Sequence, residues 1–394
     1  MHLDFIRTLY ESSAAEFGTK YVSVYLDVTP TTESAATEVE LRWRAARERL
    51  AAAGADDATL EAVDAAATGR EHGIRGRVIF AQSGAVRLAG TLPWPPSQQI
   101  VSLAALPYVM PWLAQLPVRV PHVRVAATRV GGQVVAVPDV DPVTGAGASD
   151  RTTTVEGESW PVHKARGGGW SQQRFQRSVE ETWAATAKRI VQAAVAEAGR
   201  VRAEFVIVGG DIRERSIVLD QLPPAVREMA VVVDREIPVD GVPFEEDAQA
   251  EEERLAGQRR RALLDELGAR LGGSSAGERR AVTGLAGTFA ALQEGLASDV
   301  LVMGEPSWEE RDVWIGPGLA DAATDPGVLR QFGVDSPVQA RADSSLARAV
   351  AGTGVDLHFL PADDAAGGAA GAVEDGIAAL LRAPAAAVTP DRPS

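Results

Sequence analysis

Lys164-Ala165-Arg166-Gly167-Gly168-Gly169-Trp170-Ser171-Gln172-Gln173-Arg174-Phe175-Gln176-Arg177 reads as a glycine-rich turn that runs straight into a helix. Three consecutive glycines carry no Cβ, so the turn can approach a partner closely. Ser171 is the expected N-cap, with helix from Gln172 onward. Between Pro161 and Arg177 there are four Lys/Arg and no acid, in a chain of net charge -15. A basic, glycine-rich turn anchored on a helix in an acidic protein points to contact with phosphate. The competing reading is an ordinary turn.

The 394 residues suggest two to four domains. Hydrophobic residues at 45% and charged residues at 24% are those of a globular protein with real cores. There is no cysteine, which excludes disulfides, thiol nucleophiles and Cys-ligated zinc. A pI near 4.9 argues against nucleic-acid binding through bulk charge but permits one local basic patch. Residues 1–10 carry Asp4 and Arg7, with no apolar run leading to a cleavage site. No apolar stretch reaches the length of about 18 residues that spans a membrane. The expectation is a soluble, cytoplasmic protein.

Outward from the loop, alternating strands and helices predict an α/β chain. Before it, residues 2–17 read as a helix and Tyr21-Val-Ser-Val-Tyr-Leu26 as a strand. Helices follow at 33–53 and 56–68, strands at 76–81 and 85–88, a proline break at 93–96 and a short helix at 107–116. Strands are expected at 123–130 and 134–137, joined by a turn at Gly131-Gly132-Gln133. Residues 139–160 read as irregular. After the loop come one long helix (171–199), a strand Phe205–Gly209, a helix and a strand Ala230–Asp234. Residues 244–272 and 276–296 read as helices, 300–303 and 312–315 as strands, 344–352 as a helix and 355–360 as a strand. Residues 373–382 read as a last helix before a Pro/Ala-rich tail.

Constellations for catalysis are sparse. The five histidines are His2, His72, His122, His163 and His358, and no two sit at metal-ligand spacing within one element. His163 flanks the basic loop and could meet phosphate; His358 alternates within an apolar strand and reads as structural. Gly209-Gly210 and Gly304 read as strand-exit glycines. There is no G-x-G-x-x-G and no G-K-[ST], so no nucleotide cofactor is expected. No metal is expected either.

The run Arg166-Gly167-Gly168, Ser171 and Arg174-Phe175-x-Arg177, opening a long helix after two strands, resembles the Gly-Gly-Gln loop of archaeal and eukaryotic class-one release factors. The family's basic Arg-Gly-Gly-Gln-Ser turn is likewise followed by Arg-Phe-x-Arg. The resemblance spans about 1–382 and implies three consecutive α/β domains in release-factor/Pelota-like order: 1–117, 118–240 and 241–382, with 383–394 a disordered tail. The middle domain would be ribonuclease H-like, its Gly-rich loop opening the long helix. Two departures stand out. Gly169-Trp170 occupies the place of the loop glutamine, with Gln172 and Gln173 displaced into the helix start. The segment 31–73 lacks the Asn-Ile-Lys-Ser stop-codon motif.

A release-factor-like body without decoding or hydrolysis motifs is most similar to Pelota-type rescue factors. Within them it resembles the bacterial branch of Balon-like hibernation factors and their actinobacterial relatives. That resemblance implies a stress-response factor that occupies the A site of idle ribosomes, its loop near the peptidyl-transferase centre. Elongation factor Tu and tRNA are the further partners it implies. The RNA-binding residues would be Lys164, Arg166, Gly167, Gly168, Gly169, Trp170, Arg174 and Arg177. The cations would meet phosphates, and Trp170 would stack on a base. The alternative is an enzyme, a peptidyl-tRNA hydrolase or tRNA-cleaving rescue factor acting through Gln172 or Gln173.

Overall fold

A four-residue helix α1 (Asp4–Arg7) precedes strand β1 (Tyr21–Asp27), which the apolar run at 21–26 predicts. The computed structural model describes residues 1–11, 18–29, 35–68, 75–96, 98–116, 120–128, 131–139, 150–156, 169–235, 243–272, 280–304, 308–361 and 373–384. Helices α2 (Ala35–Ala52) and α3 (Asp57–Thr68) follow, then strands β2 (Gly76–Gln82), β3 (Ala85–Leu92) and β4 (Val101–Ala104), and helix α4 (Met110–Leu113). Strand β4 was not expected; its four half-buried residues make too short an apolar run to stand out. The sheet order is β3-β2-β1-β4, all antiparallel.

Next come β5 (His122–Thr128), β6 (Gly131–Val137), β7 (Arg151–Glu156), the 33-residue helix α5 (Gly169–Val201) and β8 (Phe205–Gly210). Helices α6 (Ile212–Gln221) and α7 (Pro224–Glu228), strand β9 (Ala230–Val232) and helix α8 (Glu245–Leu271) complete this stretch. The sheet order is β7-β6-β5-β8-β9, with β5, β8 and β9 parallel and β6 antiparallel to both neighbours. In order of appearance along the chain the sheet therefore reads 3-2-1-4-5 with its second strand reversed, a ribonuclease H-like order.

The remaining elements are β10 (Ala281–Thr283), α9 (Leu285–Gln293), β11 (Ala297–Met303), β12 (Asp312–Ile315), β13 (Ala322–Ala323) and α10 (Pro326–Gln331). They end with β14 (Val338–Arg341), α11 (Ala342–Thr353), β15 (Asp356–Leu360) and β16 (Ile377–Leu381). The sheets are β10-β16-β11-β15 and β13-β12-β14.

Several expectations are corrected. Arg151–Glu156, within the stretch read as irregular, is strand β7, whose polar, mostly exposed residues carry no apolar signal. The helix read at 276–296 is broken at Gly284, whose φ of +81° separates β10 from α9. The last expected helix is strand β16, paired with β10 on one side and β11 on the other. Its run Ile377-Ala378-Ala379-Leu380-Leu381 is buried at every position, so it shows no alternation, and tertiary pairing overrides the helical preference of Ala and Leu.

The chain divides into two compact units: 1–117 with 142–145 and 258–394, and 118–141 with 146–257. In the first, the central strands β1 and β2 are buried on both faces, so β1 reads as an almost continuous apolar run. Val22, Val24 and Leu26 pack with Trp43, Leu50 and Leu60 of α2 and α3. Tyr25, Val78 and Phe80 point the other way, into one core with Phe289 of α9 and Leu346 and Val350 of α11. Polar contacts join the same elements. Asp343, fully buried, accepts from Arg341 Nη2 at 2.7 Å and from the Ser344 amide at 2.5 Å. The Arg341 guanidinium also lies 4.4 Å from the Tyr108 ring centre. Burial pushes the Asp343 carboxyl above its ordinary value, and Arg341 partly opposes this.

His358 accompanies Asp299 across the parallel β11–β15 pair, Nε2 to Oδ1 at 3.1 Å. This hydrogen bond is the main cause holding the Asp299 carboxyl below its ordinary value of 3.8. A depressed carboxylate contributes stability above its unfolded pKa and loses it as pH falls through the lower folded value. Asp299→Asn is expected to cost about 1 kcal/mol at pH 6. The difference from the parent chain should fade below about pH 4, measured by urea unfolding across that range.

Candidate functional site

Helix α5 is the element on which the basic loop is mounted. At 33 residues it is about 50 Å long. Ile190, Val191, Ala194, Ala198 and Val201 fall at helical spacing and pack on Val123, Val125, Val134, Ala136, Val206 and Val208 of the sheet. The close approach is set by Gly132: a Cβ there would lie 2.7 Å from Ile190 Cδ1 and 2.8 Å from the Ala126 carbonyl oxygen. Any side chain at 132 would push helix and strand apart.

Gly131-Gly132-Gln133 is therefore not the turn expected for it. All three residues belong to β6, paired to β5 on one edge and to β7 on the other. Gly131 does take a positive φ, +146°. The glycine pair serves a close helix–sheet approach, and Gln133 is exposed in mid-sheet. This literal Gly-Gly-Gln is part of the platform beneath α5.

Lys164, Arg166, Gly167 and Gly168 lie outside the described residues, as does His163. The helix begins at Gly169, two residues before the expected N-cap Ser171. Gly169, Trp170, Gln172, Gln173, Arg174 and Arg177 thus all stand on helical backbone. Trp170, Arg174 and Arg177 are spaced i, i+4, i+7, so their Cα atoms share one face, with Gln173 beside them and Gln172 on the opposite side. The helical register separates two glutamines that the sequence leaves equivalent.

Further along α5, Trp183 and Thr186 meet Thr128 at the end of β5 and Glu214 of α6 in a crevice closed to a water-sized occupant. Asp211 caps α6, its carboxylate accepting from the Arg213 amide at 3.1 Å. Gly210, with φ of +110°, presses against Ala127, where a Cβ would meet the carbonyl oxygen at 2.1 Å. Gly209-Gly210 are strand-exit glycines, as expected.

The other face of this sheet holds buried charge that the sequence reading did not single out. His122 stacks on Phe205 with centroids 4.6 Å apart, and its Nδ1 lies 2.9 Å from the Val120 carbonyl oxygen and 3.4 Å from Glu252 Oε1. Buried Arg124 pairs with Asp150 at 3.0 Å, and burial lowers its pKa. The signal was there: His122 and Arg124 alternate with Val123 and Val125 along one strand. Among the described residues, no group of three or more His, Asp or Glu could hold a metal. No helix of the described residues is long and apolar enough to cross a membrane.

Gly132→Ala is expected to destabilise the chain by about 1–3 kcal/mol, because Ile190 and the Ala126 carbonyl must both give way. Gln133→Ala should stay within about 0.5 kcal/mol of the parent chain. Guanidinium unfolding followed by circular dichroism checks both.

Residues 121–273 match the model of bacterial archaeo-eukaryotic release factor family 2. The chain is 28% identical over 347 residues to the uncharacterized protein Rv2629 of Mycobacterium tuberculosis, covering 86% of this chain and 88% of that protein. Solved structures similar to it include Archaeoglobus fulgidus Pelota, at 15% identity, 96% of this chain, 91% of that chain and a TM-score of 0.34. A model of ribosome-bound archaeal Pelota and ABCE1 is similar at 11% identity, 97% and 94% coverage and a TM-score of 0.36. The archaeal translation termination factor aRF1 is similar at 13% identity, 96% coverage of both chains and a TM-score of 0.24. The stretch matched by the family model, 121–273, contains strands β5 to β9, helix α5 and the sequence of the basic loop.

Proposed function

We propose that this chain is a ribosome-binding translation factor that occupies the A site of idle ribosomes, neither decoding stop codons nor releasing peptide. The observation that carries the reading is the fate of the glutamine. The chain has one Gly-Gly-Gln, and it is locked in β6 between two paired strands. At the loop itself, Gly169-Trp170 stands where the hydrolytic glutamine is expected, on backbone that is already helical. Ester hydrolysis needs a donor held at a narrow, defined approach to the reacting carbon. A helix start carrying tryptophan lacks that arrangement.

In this reading the functional division is 1–117, 118–240 and 241–382. Lys164, Arg166, Arg174 and Arg177 contact ribosomal or tRNA phosphates, and Gly167–Gly169 allow close entry. Trp170, on one helical face with Arg174 and Arg177, stacks on a base. Elongation factor Tu is the delivering partner that the wider resemblance suggests.

Cosedimentation with vacant ribosomes at stepped salt tests the reading. Neutralising Arg166 and Arg174 together is expected to weaken binding at least about tenfold and to lessen its salt dependence. A chain that never travels with ribosomal particles would sink the proposal. In a peptidyl-tRNA release assay the parent chain is expected to show no turnover. Turnover that disappears in Gln172→Ala or Gln173→Ala would install the hydrolase reading instead.

A further inference from the structure

The first unit carries an aromatic–guanidinium pair that neither its core nor the basic loop accounts for. Trp94 is 62% exposed, one of two aromatic residues among the large apolar side chains left at the surface of the described residues. The Arg75 guanidinium carbon lies 5.1 Å from its ring centre. We propose that Trp94 and Arg75 form a stacking site for an unpaired RNA base, the guanidinium meeting the adjoining phosphate. The proposal rests on the ribosome reading and adds to it a second RNA contact, far in sequence from residues 164–177.

Both residues sit on fixed backbone. The Arg75 carbonyl accepts from the Val28 amide at 3.0 Å and from the Thr29 hydroxyl at 3.2 Å, tying it to the exit of β1. Trp94 lies in Pro93-Trp94-Pro95-Pro96, where three prolines restrict φ. That segment folds back over the start of β2: a Cβ on Gly76 would lie 2.8 Å from Leu92 and 3.2 Å from Pro96 Cδ. A ring and a cation pre-placed in this way lose little entropy on binding.

The electrostatics select the ligand. At the same end of the sheet, the carboxylate of Asp27 is already engaged by the Thr29 amide at 2.9 Å and by Arg42 at 3.6 Å. The contrast with Arg77, two residues on, is informative. Arg77 is buried and its Nη1 donates to the Ala66 carbonyl at 2.7 Å, a structural use of the side chain. Arg75 instead extends over an exposed indole. Stacking on tryptophan with a neighbouring cation is how proteins hold unpaired bases, because every base offers a π-face and a phosphate lies close by. Duplex RNA keeps its bases stacked inside and should not use the site.

The test uses the full chain and a single-stranded RNA of about ten nucleotides carrying 2-aminopurine, whose emission is quenched on stacking. The parent chain is expected to bind and quench. Trp94→Ala should bind about tenfold more weakly and lose quenching, while Trp94→Phe retains most of both. Arg75→Ala should lower the slope of log affinity against log salt by about 0.7. Unchanged binding and quenching in Trp94→Ala and Arg75→Ala, or no binding by the parent chain, overturns the proposal and leaves a surface packing contact. Ribosome cosedimentation of the same variants separates the two ideas. Sedimentation intact in a parent chain that does not bind the oligonucleotide removes only the stacking site. Oligonucleotide binding that depends on Trp94, in a chain that never sediments with ribosomes, removes only the A-site reading.

Discussion

The contact between Gly132 and Ile190 is the constraint that fixes how closely the long helix α5 lies on its sheet. A long helix can carry a loop only if its far end is held against something rigid. Here that hold is a row of aliphatic side chains on α5 pressed onto strands β5, β6 and β8, close enough that one position of the sheet has no room for a Cβ. Interiors packed to this density transmit displacement instead of absorbing it. The direction of α5 is therefore set by a contact 21 residues along the helix from its start at Gly169.

The first unit solves a different problem. Its N-terminal sheet has two apolar faces: α2 and α3 cover one, and the short helices α1 and α4 cover only part of the other. The rest of the second face is covered by α9 and α11, which come more than 150 residues later. Polar groups are drawn into the same junction. Asp343 is held in the interior by Arg341, whose cation also rests against Tyr108. Such an arrangement adds little net stability over a hydrophobic equivalent, but removing one partner leaves a charge stranded.

The sequence announced the strands and helices with strong period: β1, β2, β5, β8, α2, α3, α8 and the long α5 all stand within a few residues of where alternation or helical spacing put them. It failed where burial was two-sided or absent. Ile377–Leu381 is apolar at every position and reads as helix, although it is a strand within a four-stranded sheet. Arg151–Glu156 is polar almost throughout and reads as irregular, although it completes the ribonuclease H-like order. The candidate loop was legible as chemistry, because its basic residues and glycines are local. Its neighbours were less so: that Gly131-Gly132-Gln133 is platform and not turn depends on Ile190, 58 residues distant. Stacking of Arg75 on Trp94 likewise joins positions brought together only by the fold.

The order of the units along the chain bears on how the protein is made. In sequence, residues 118–141 and 146–257 form one unit, set between the two main parts of the other. During synthesis that middle stretch emerges whole and can bury its sheet and α5 at once. The N-terminal sheet emerges first, yet the face carrying Tyr25, Val78 and Phe80 keeps only part of its cover, from α1 and α4, until α9 and α11 have left the exit tunnel. A nascent chain stalled at residue 257 would therefore have its middle unit complete and part of an apolar sheet face still awaiting its cover, and such a face is an address for chaperones.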